Sequence, residues 1–342
     1  MSNIQKENEE IERFIREVSR DLFKENKVDL IIGYGKGSIP FNTTPIFISE
    51  ENDIDKLIWN NFCYINLSRY LLPSLNDFIR ENKDKNLKIG VISKGCTARS
   101  IIQLIIENQI KPENVVIIGM ECNGILNRKK IEKEFGDLEI TDILINGDNI
   151  IVKGDKFEKE LAFNDYLSEL CKACKIRAPP ISSKVSDIIV GKSQEVSSIE
   201  EDDFSDISEF ESKSSEEKWA HISELLKDCT RCYACREACP FCYCNLCFID
   251  QNLPTWFSKT SNLGEIVIFH MIRALHVAGR CVACGACSNA CPMGIDLTII
   301  TRKLEKIVKE RFDFTAGLDL DTLPPMMTFK MDDKEEFMLE ED

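Results

Sequence analysis

"CVACGACSNACPMG" (281–294) and its near copy "CTRCYACREACPF" (229–241) decide how this chain is read. Each sets four cysteines at C-x2-C-x2-C-x3-C and follows the last with proline. These are Cys229, Cys232, Cys235 and Cys239 before Pro240, then Cys281, Cys284, Cys287 and Cys291 before Pro292. Three thiolates on one tight loop can bind three corners of a 4Fe-4S cube, while the fourth, followed by proline, points to the other cluster. The repeat is therefore the mate that the swapped ligand requires. Cys229, Cys232, Cys235 and Cys291 form one expected ligand set, and Cys281, Cys284, Cys287 and Cys239 the other. A pair of four-cysteine zinc sites is the rival reading, but zinc knuckles need neither the third C-x2-C step nor the C-x3-C-P ending. Two cubes held close together serve to relay single electrons.

The surrounding composition fits that use. With 342 residues, 43% of them hydrophobic, the chain can bury a sizeable core and divide into two domains. Its net charge of -15 repels phosphate backbones and anionic lipid surfaces, so nucleic acid is not an expected partner. The start "MSNIQKENEE" has neither the basic end nor the apolar core of a signal peptide. No apolar run approaches the roughly 18–20 residues that span a bilayer. A cytoplasmic location without a membrane span is expected. There, the sixteen cysteines are metal ligands rather than a secreted disulfide scaffold.

Around the two phrases the pattern is helical. "NLGEIVIFHMIRALHVAGR" (262–280) and "DLTIITRKLEKIVKERF" (296–312) place apolar residues at helical spacing, so residues 218–312 are expected to form a mostly α-helical dicluster domain. Residues 1–190 read differently. An amphipathic helix over 4–24 carries Ile11, Phe14, Ile15, Val18 and Leu22 on one stripe. "VDLIIGYGKG" (28–37), "KIGVISKGCTARSIIQLIIENQ" (88–109) and "NVVIIGMECNG" (114–124) read as buried strands entering turns or helices. The alternation predicts an α/β domain with a mostly parallel sheet. Residues 191–217, rich in Ser, Asp and Glu, are expected to be a disordered linker. Residues 313–342 are expected to be an acidic tail, with Phe337 and Met338 as anchors for a partner.

The remaining cysteines suggest a further site. Cys96 and Cys122 end predicted strands, Cys171 and Cys174 form a C-x2-C pair, and strand ends of a parallel sheet converge on one edge. A third 4Fe-4S cluster is the candidate, built from Cys122, Cys171, Cys174 and either Cys63 or Cys96, with unrelated buried thiols as the alternative. Cys242, Cys244 and Cys247 in "FCYCNLCF" either hold a further metal, tune the adjacent cluster or stay free. Two segments could cradle a cofactor phosphate: "GYGKGS" (33–38) through Gly33, Gly35, Lys36 and Gly37, and the helix start in "SKGCTARS" (93–100) through Thr97 and Arg99. A turn at a strand end and a simple helix cap are the alternatives. His221, His270 and His276 show no metal-ligand spacing.

"VVIIGMECNGI", followed by "CKAC" and then "SDIIVG", resembles the beta-subunit family of deazaflavin-reducing hydrogenases and formate dehydrogenases, with Glu121 where that family carries proline. The phrase spacing and helices of the second domain resemble the α-helical ferredoxin domain of heterodisulfide reductase iron-sulfur subunits. The resemblance implies FAD in the α/β domain, two or three 4Fe-4S clusters, and assembly with other subunits of a redox complex. The function expected is electron transfer within a cytoplasmic oxidoreductase complex. A self-contained flavin-dependent NAD(P)H or deazaflavin oxidoreductase and a cluster-based redox sensor or scaffold are the alternatives.

Overall fold

The computed structural model describes residues 3–331, apart from 40, 74–75, 83–85, 183–184, 259 and 330. It opens on helix α1 (Asn3–Lys24), which lays Ile15 and Leu22 into the core. Strands β1 (Leu30–Lys36), β2 (Thr43–Ile48), β3 (Ile89–Ser93), β4 (Val115–Gly119) and β9 (Ile189–Gly191) form one sheet in the order β2-β1-β3-β4-β9. β1 pairs with β3, β3 with β4 and β4 with β9 in parallel, while β1 and β2 run antiparallel. The N-terminal region is therefore α/β with a mixed sheet, because the chain turns back at residue 37 to build an antiparallel edge. All five residues of β3 are buried, as expected of a strand covered on both faces. Ile31, Ile32, Ile92 and Ile101 are fully buried, each contributing about 1.5–3 kcal/mol relative to exposure. Helix α2 (Asp77–Glu81) precedes β3, and helix α3 (Gly95–Ile106) follows it directly.

A lobe absent from the sequence reading follows β4. Helix α4 (Arg128–Phe135) packs on an antiparallel meander of β5 (Ile140–Asn146), β6 (Asn149–Gly154) and β7 (Phe157–Ala162), with a core of its own around Ile131, Ile150 and Val152. The short helix α5 (Glu169–Lys172) returns the chain to the sheet, and β8 (Pro180–Ile181) pairs with β10 (Gln194–Glu195) beside it.

Residues 191–217, expected to be a loose linker, are folded in part: α6 (Ser208–Ser212) lies within them and α7 (Ser215–Leu226) begins there. The signal missed is a set of cations on a later helix, since Lys303 and Lys306 pair with Glu211 beside the contacts of Arg302. Arg302 is nearly fully buried, binds Asp202 and Asp206 and lies over the Phe204 ring at 4.5 Å. Acidic composition read in isolation hides this partner, which lies about a hundred residues away in sequence.

The C-terminal part is helical: α7, α8 (Ala234–Glu237), α9 (Leu263–His276), α10 (Ala286–Ala290) and α11 (Thr298–Phe312). The start of the expected tail is packed, with Phe314 and Ala316 buried; Phe337 and Met338 lie outside the described residues. One apolar cluster joins Leu72 and Leu104 of the α/β part to Phe241, Val277, Val282 and Phe314, so the two parts share a core. No helix among the described residues is long and apolar enough to cross a membrane.

Candidate functional site

The two cysteine phrases fold alike. Arg231 and Tyr233 of the first have φ of 53° and 62°, and Ala283 and Gly285, at the same offsets in the second, have φ of 51° and 70°. Left-handed backbone at a non-glycine residue is uncommon and costly, yet both loops adopt it twice at matching places. Each loop then enters a short helix one residue later, α8 at Ala234 and α10 at Ala286. The repeat is thus structural, since both loops follow one backbone path into a short helix.

The thiols group across the loops. Cys239 from the first phrase lines one cavity together with Cys281, Cys284 and Cys287 from the second, closed by Leu170, Val282 and Leu304. Burial pushes the Cys284 thiol up to about 11, held back by the Asn66 side chain and raised further by Cys287 and Cys239. On the other side, burial pushes Cys235 up to about 12, opposed by Arg273 and reinforced by Cys287, Cys229 and Cys291. Cys229 is likewise raised by burial and then by Cys291 and Cys232. Among the described residues no three His, Cys, Asp or Glu side chains converge on one point as a single metal ion requires. A tetrahedral zinc site would need its thiolates roughly 3.8 Å apart, from a Zn–S bond of about 2.3 Å, whereas a cube takes one thiolate at each of four corners.

In the α/β part the loops after β3 and β4 bring Cys96 and Cys122 to the same sheet edge. Cys122 is the hub. Burial raises Cys63 and Cys171, to about 12 and about 11, and burial also raises Cys96 and Cys174, with Cys122 adding to all four. The Gly124 amide points at Cys122 Sγ and the Ile125 amide at Cys171 Sγ, both at 3.4 Å. Gly95 makes the approach of the C-x2-C segment feasible, because a Cβ there would lie 2.2 Å from the Ile176 carbonyl oxygen. Cys96 faces Cys174 and, across the shared core, Cys284, whereas the Cys63 thiol contacts Asn60 Oδ1 at 3.8 Å.

No family model matches the chain. The F420-dependent formate dehydrogenase subunit beta of Methanocaldococcus jannaschii is 24% identical over 372 aligned residues, covering 90% of this chain and 92% of the relative. The F420-dependent formate dehydrogenase 1 subunit beta of Methanococcus maripaludis is 24% identical, with 88% of this chain and 89% of the relative covered. The chain is similar to these formate dehydrogenase beta subunits over nearly its whole length. Among solved structures, a chain of the F420-reducing NiFe hydrogenase complex from Methanosarcina barkeri overlaps 47% of this chain and 58% of its own length, at 17% identity and a TM-score of 0.37.

Several residues of this beta-subunit relative fall elsewhere than the sequence suggested. Gly33 and Gly35 lie inside β1, opposite Ile46 and Thr44 of β2, rather than in an open turn. Their lack of a side chain serves packing, since a Cβ would lie 2.2 Å from Leu57 Cδ2 and 2.5 Å from Ile46 Cγ2 respectively. The exposed Lys36 ends the strand, and the Gly37 amide donates to the Asn42 carbonyl. Thr97 is buried with no hydrogen-bond partner for its hydroxyl. Arg99 is spent on the C-terminal part, donating to the carbonyls of Ala316 (2.9 Å) and Val282 (3.2 Å). Gly33 and Gly35 thus serve the packing of the strand, while the Thr97 hydroxyl and Arg99 Nη2 are buried without a hydrogen-bond partner.

Other residues carried a weak sequence signal or none, Arg273 being legible only as a cation close in sequence to the second phrase. His270 Nε2 lies 3.5 Å from Cys229 Sγ, and burial, then Arg273, drops its pKa to about 4, which keeps the ring neutral. Arg273, one helical turn on, is buried and donates to the Cys235 carbonyl at 3.0 Å, while its charge faces Cys287, Cys239, Cys235 and Cys242. Arg69 donates to the Cys239 carbonyl at 2.7 Å and pairs with Glu237 at 2.8 Å. Lys94, also buried, donates to the Cys63 carbonyl and sits over the Tyr34 ring. Only their spacing on α9 hints at the first two; Arg69 and Lys94 become visible only once the chain is folded.

Proposed function

We propose that this chain is an electron-transfer subunit of an oxidoreductase complex, relaying single electrons through two 4Fe-4S clusters in an α-helical ferredoxin-type domain. The observation that carries this reading is the crossed grouping of the repeat. Cys239 lines a cavity with Cys281, Cys284 and Cys287, and Cys291 faces Cys229 and Cys235. Each cluster supplies a one-electron couple whose potential answers to nearby charge and hydrogen bonds. The chain's own contribution is to fix the order and the electrostatics. Cys235 and Cys287 face one another between the two sets, and Arg273 adds a buried positive charge there.

A third cluster on Cys96, Cys122, Cys171 and Cys174 extends the series. Cys96 supports its membership by facing both Cys174 and Cys284. The resulting order places the N-terminal site beside the set of Cys281, and that set beside the set of Cys229. Lys94, buried among Cys63, Cys96 and Cys122, supplies the opposing charge at the N-terminal end. No catalytic group belongs to this reading, and flavin binding through Gly33–Gly37, Thr97 and Arg99 does not belong to it either. The electron donor and acceptor are other subunits, as the relatives' own names as subunits suggest.

The experiment is a ligand-by-ligand substitution with EPR of the dithionite-reduced chain. Substituting Cys96→Ser should remove one cluster signal while leaving the pair in the helical part intact. Loss of a signal on Cys63→Ser but not on Cys96→Ser would reject this order of clusters.

A further inference from the structure

Besides the buried Cys63, three cysteines belong to none of these sets. Cys242, Cys244 and Cys247 follow Pro240 and line one open cleft of about 910 Å3, bounded by α9, the end of α3 at Glu107, and Met326 and Met327. The volume lies within the roughly 300–1,000 Å3 of small-molecule sites. Cys244 is exposed, Cys242 and Cys247 are half-buried, and the chain bends at residues 245–246 between Cys244 and Cys247. Arg236 and Arg273 line the cleft with these thiols, and the Cys242 amide donates to the Cys239 carbonyl at 3.3 Å. Glu107 pairs with Arg280 and Glu237 with Arg69 and Arg236. Arg273 has no carboxylate partner among the described residues, and its Nε is buried without an acceptor. The cleft therefore combines accessible thiols, a residual positive charge and direct contact with a ligand of the neighbouring cluster.

We propose that this cleft is a thiol–disulfide exchange site, in which Cys244 and Cys247 cycle between dithiol and disulfide and reduce a small anionic disulfide. The Cys244 thiolate attacks one sulfur of the substrate, whose S–S bond breaks, and the first thiol leaves with a proton. Cys247 then attacks the Cys244 sulfur, releases the second thiol, and leaves a Cys244–Cys247 disulfide. Two single electrons, which the cluster that Cys239 would help to hold would pass on, together with two protons from solvent, restore the dithiol. The electrons come from the low-potential one-electron donor that feeds the chain. Only this resupply rests on the cluster reading; the exchange itself needs no cluster.

The test uses oxidised glutathione on the full, anaerobically purified chain, with iron counted before and after and thiols mapped by peptide mass. C247S should hold glutathione on Cys244 as a stable mixed disulfide, and C244S should take up at least tenfold less. The unsubstituted chain should instead end with Cys244 bonded to Cys247, and dithionite should reopen that bond only where the clusters are present. Cys244 unlabelled in C247S that retains its iron would overturn the proposal. So would zinc or iron beyond the clusters that shields the three thiols from alkylation. A chain without iron that still forms the mixed disulfide would support the exchange site and overturn the cluster reading alone.

Discussion

Arg273 is the residue on which most of the site's electrostatics rests. It is a buried cation facing cysteines of both repeats, and a nearby positive charge favours the more negative, reduced form of a cluster. Arg273→Gln should therefore lower the potentials of both clusters by tens of mV, where ~59 mV corresponds to a tenfold change in a one-electron equilibrium. Potentiometry with EPR detection reads this, and Arg273→Lys should recover part of the shift. Unchanged potentials in a folded, iron-replete Arg273→Gln would contradict the role. Gly33 makes the opposite kind of claim. Ala at this position would drive a Cβ into Leu57, so Gly33→Ala should cost about 1–3 kcal/mol by overpacking without changing flavin content, as read by denaturant unfolding and extraction. The cysteine spacing made the matched loops legible, because both repeats take the same left-handed turns before a short helix. Gly33 and Arg99 misled for the converse reason: "GYGKGS" and "SKGCTARS" look alike whether their groups meet a phosphate or the chain's own Leu57, Val282 and Ala316.

The two loops are the elements that carry the repeat, and crossed ligation is the property proposed for them. Cys291→Ser changes the second loop, yet it should disturb the cluster of the first. Its spectrum and iron loss should match those of Cys232→Ser rather than those of Cys284→Ser. A match to Cys284→Ser would mean that each loop keeps its own fourth cysteine. The α1 helix, the β3-α3 unit and α9 were legible from periodicity alone, because each buries a continuous face. The β5–β7 lobe was not. Its strands are short, half-exposed and rich in charge, so the period-2 signal is weak, and its core is completed by Phe62 and Leu126 from outside the lobe. The segment before α7 was misread for a similar reason, since the buried Arg302 that gathers its carboxylates lies on α11.

At the scale of the whole chain, the α/β part and the helical part are tied by buried arginines. Arg69 reaches the Cys239 carbonyl and Arg99 reaches those of Val282 and Ala316. Removing Arg99 takes the side-chain donor from the Val282 and Ala316 carbonyls, and removing Arg69 leaves the Cys239 carbonyl only the Cys242 amide, at a cost of about 1–3 kcal/mol. Arg69→Ala and Arg99→Ala should each lower the denaturant midpoint and speed proteolysis near residues 191–217; no change in either would show that the shared apolar cluster alone holds the parts together. The arginines matter for function because they hold the N-terminal cysteines against the Cys281 loop, which is where the proposed series of clusters connects. The central claim is that the repeated cysteines carry cubes rather than single metal ions. Its most direct test is the iron, acid-labile sulfide and zinc content of the anaerobically purified chain. The expected result is about eight irons with matching sulfide for the two crossed sets, and about twelve with the N-terminal set; zinc in place of iron, with no labile sulfide, would contradict it.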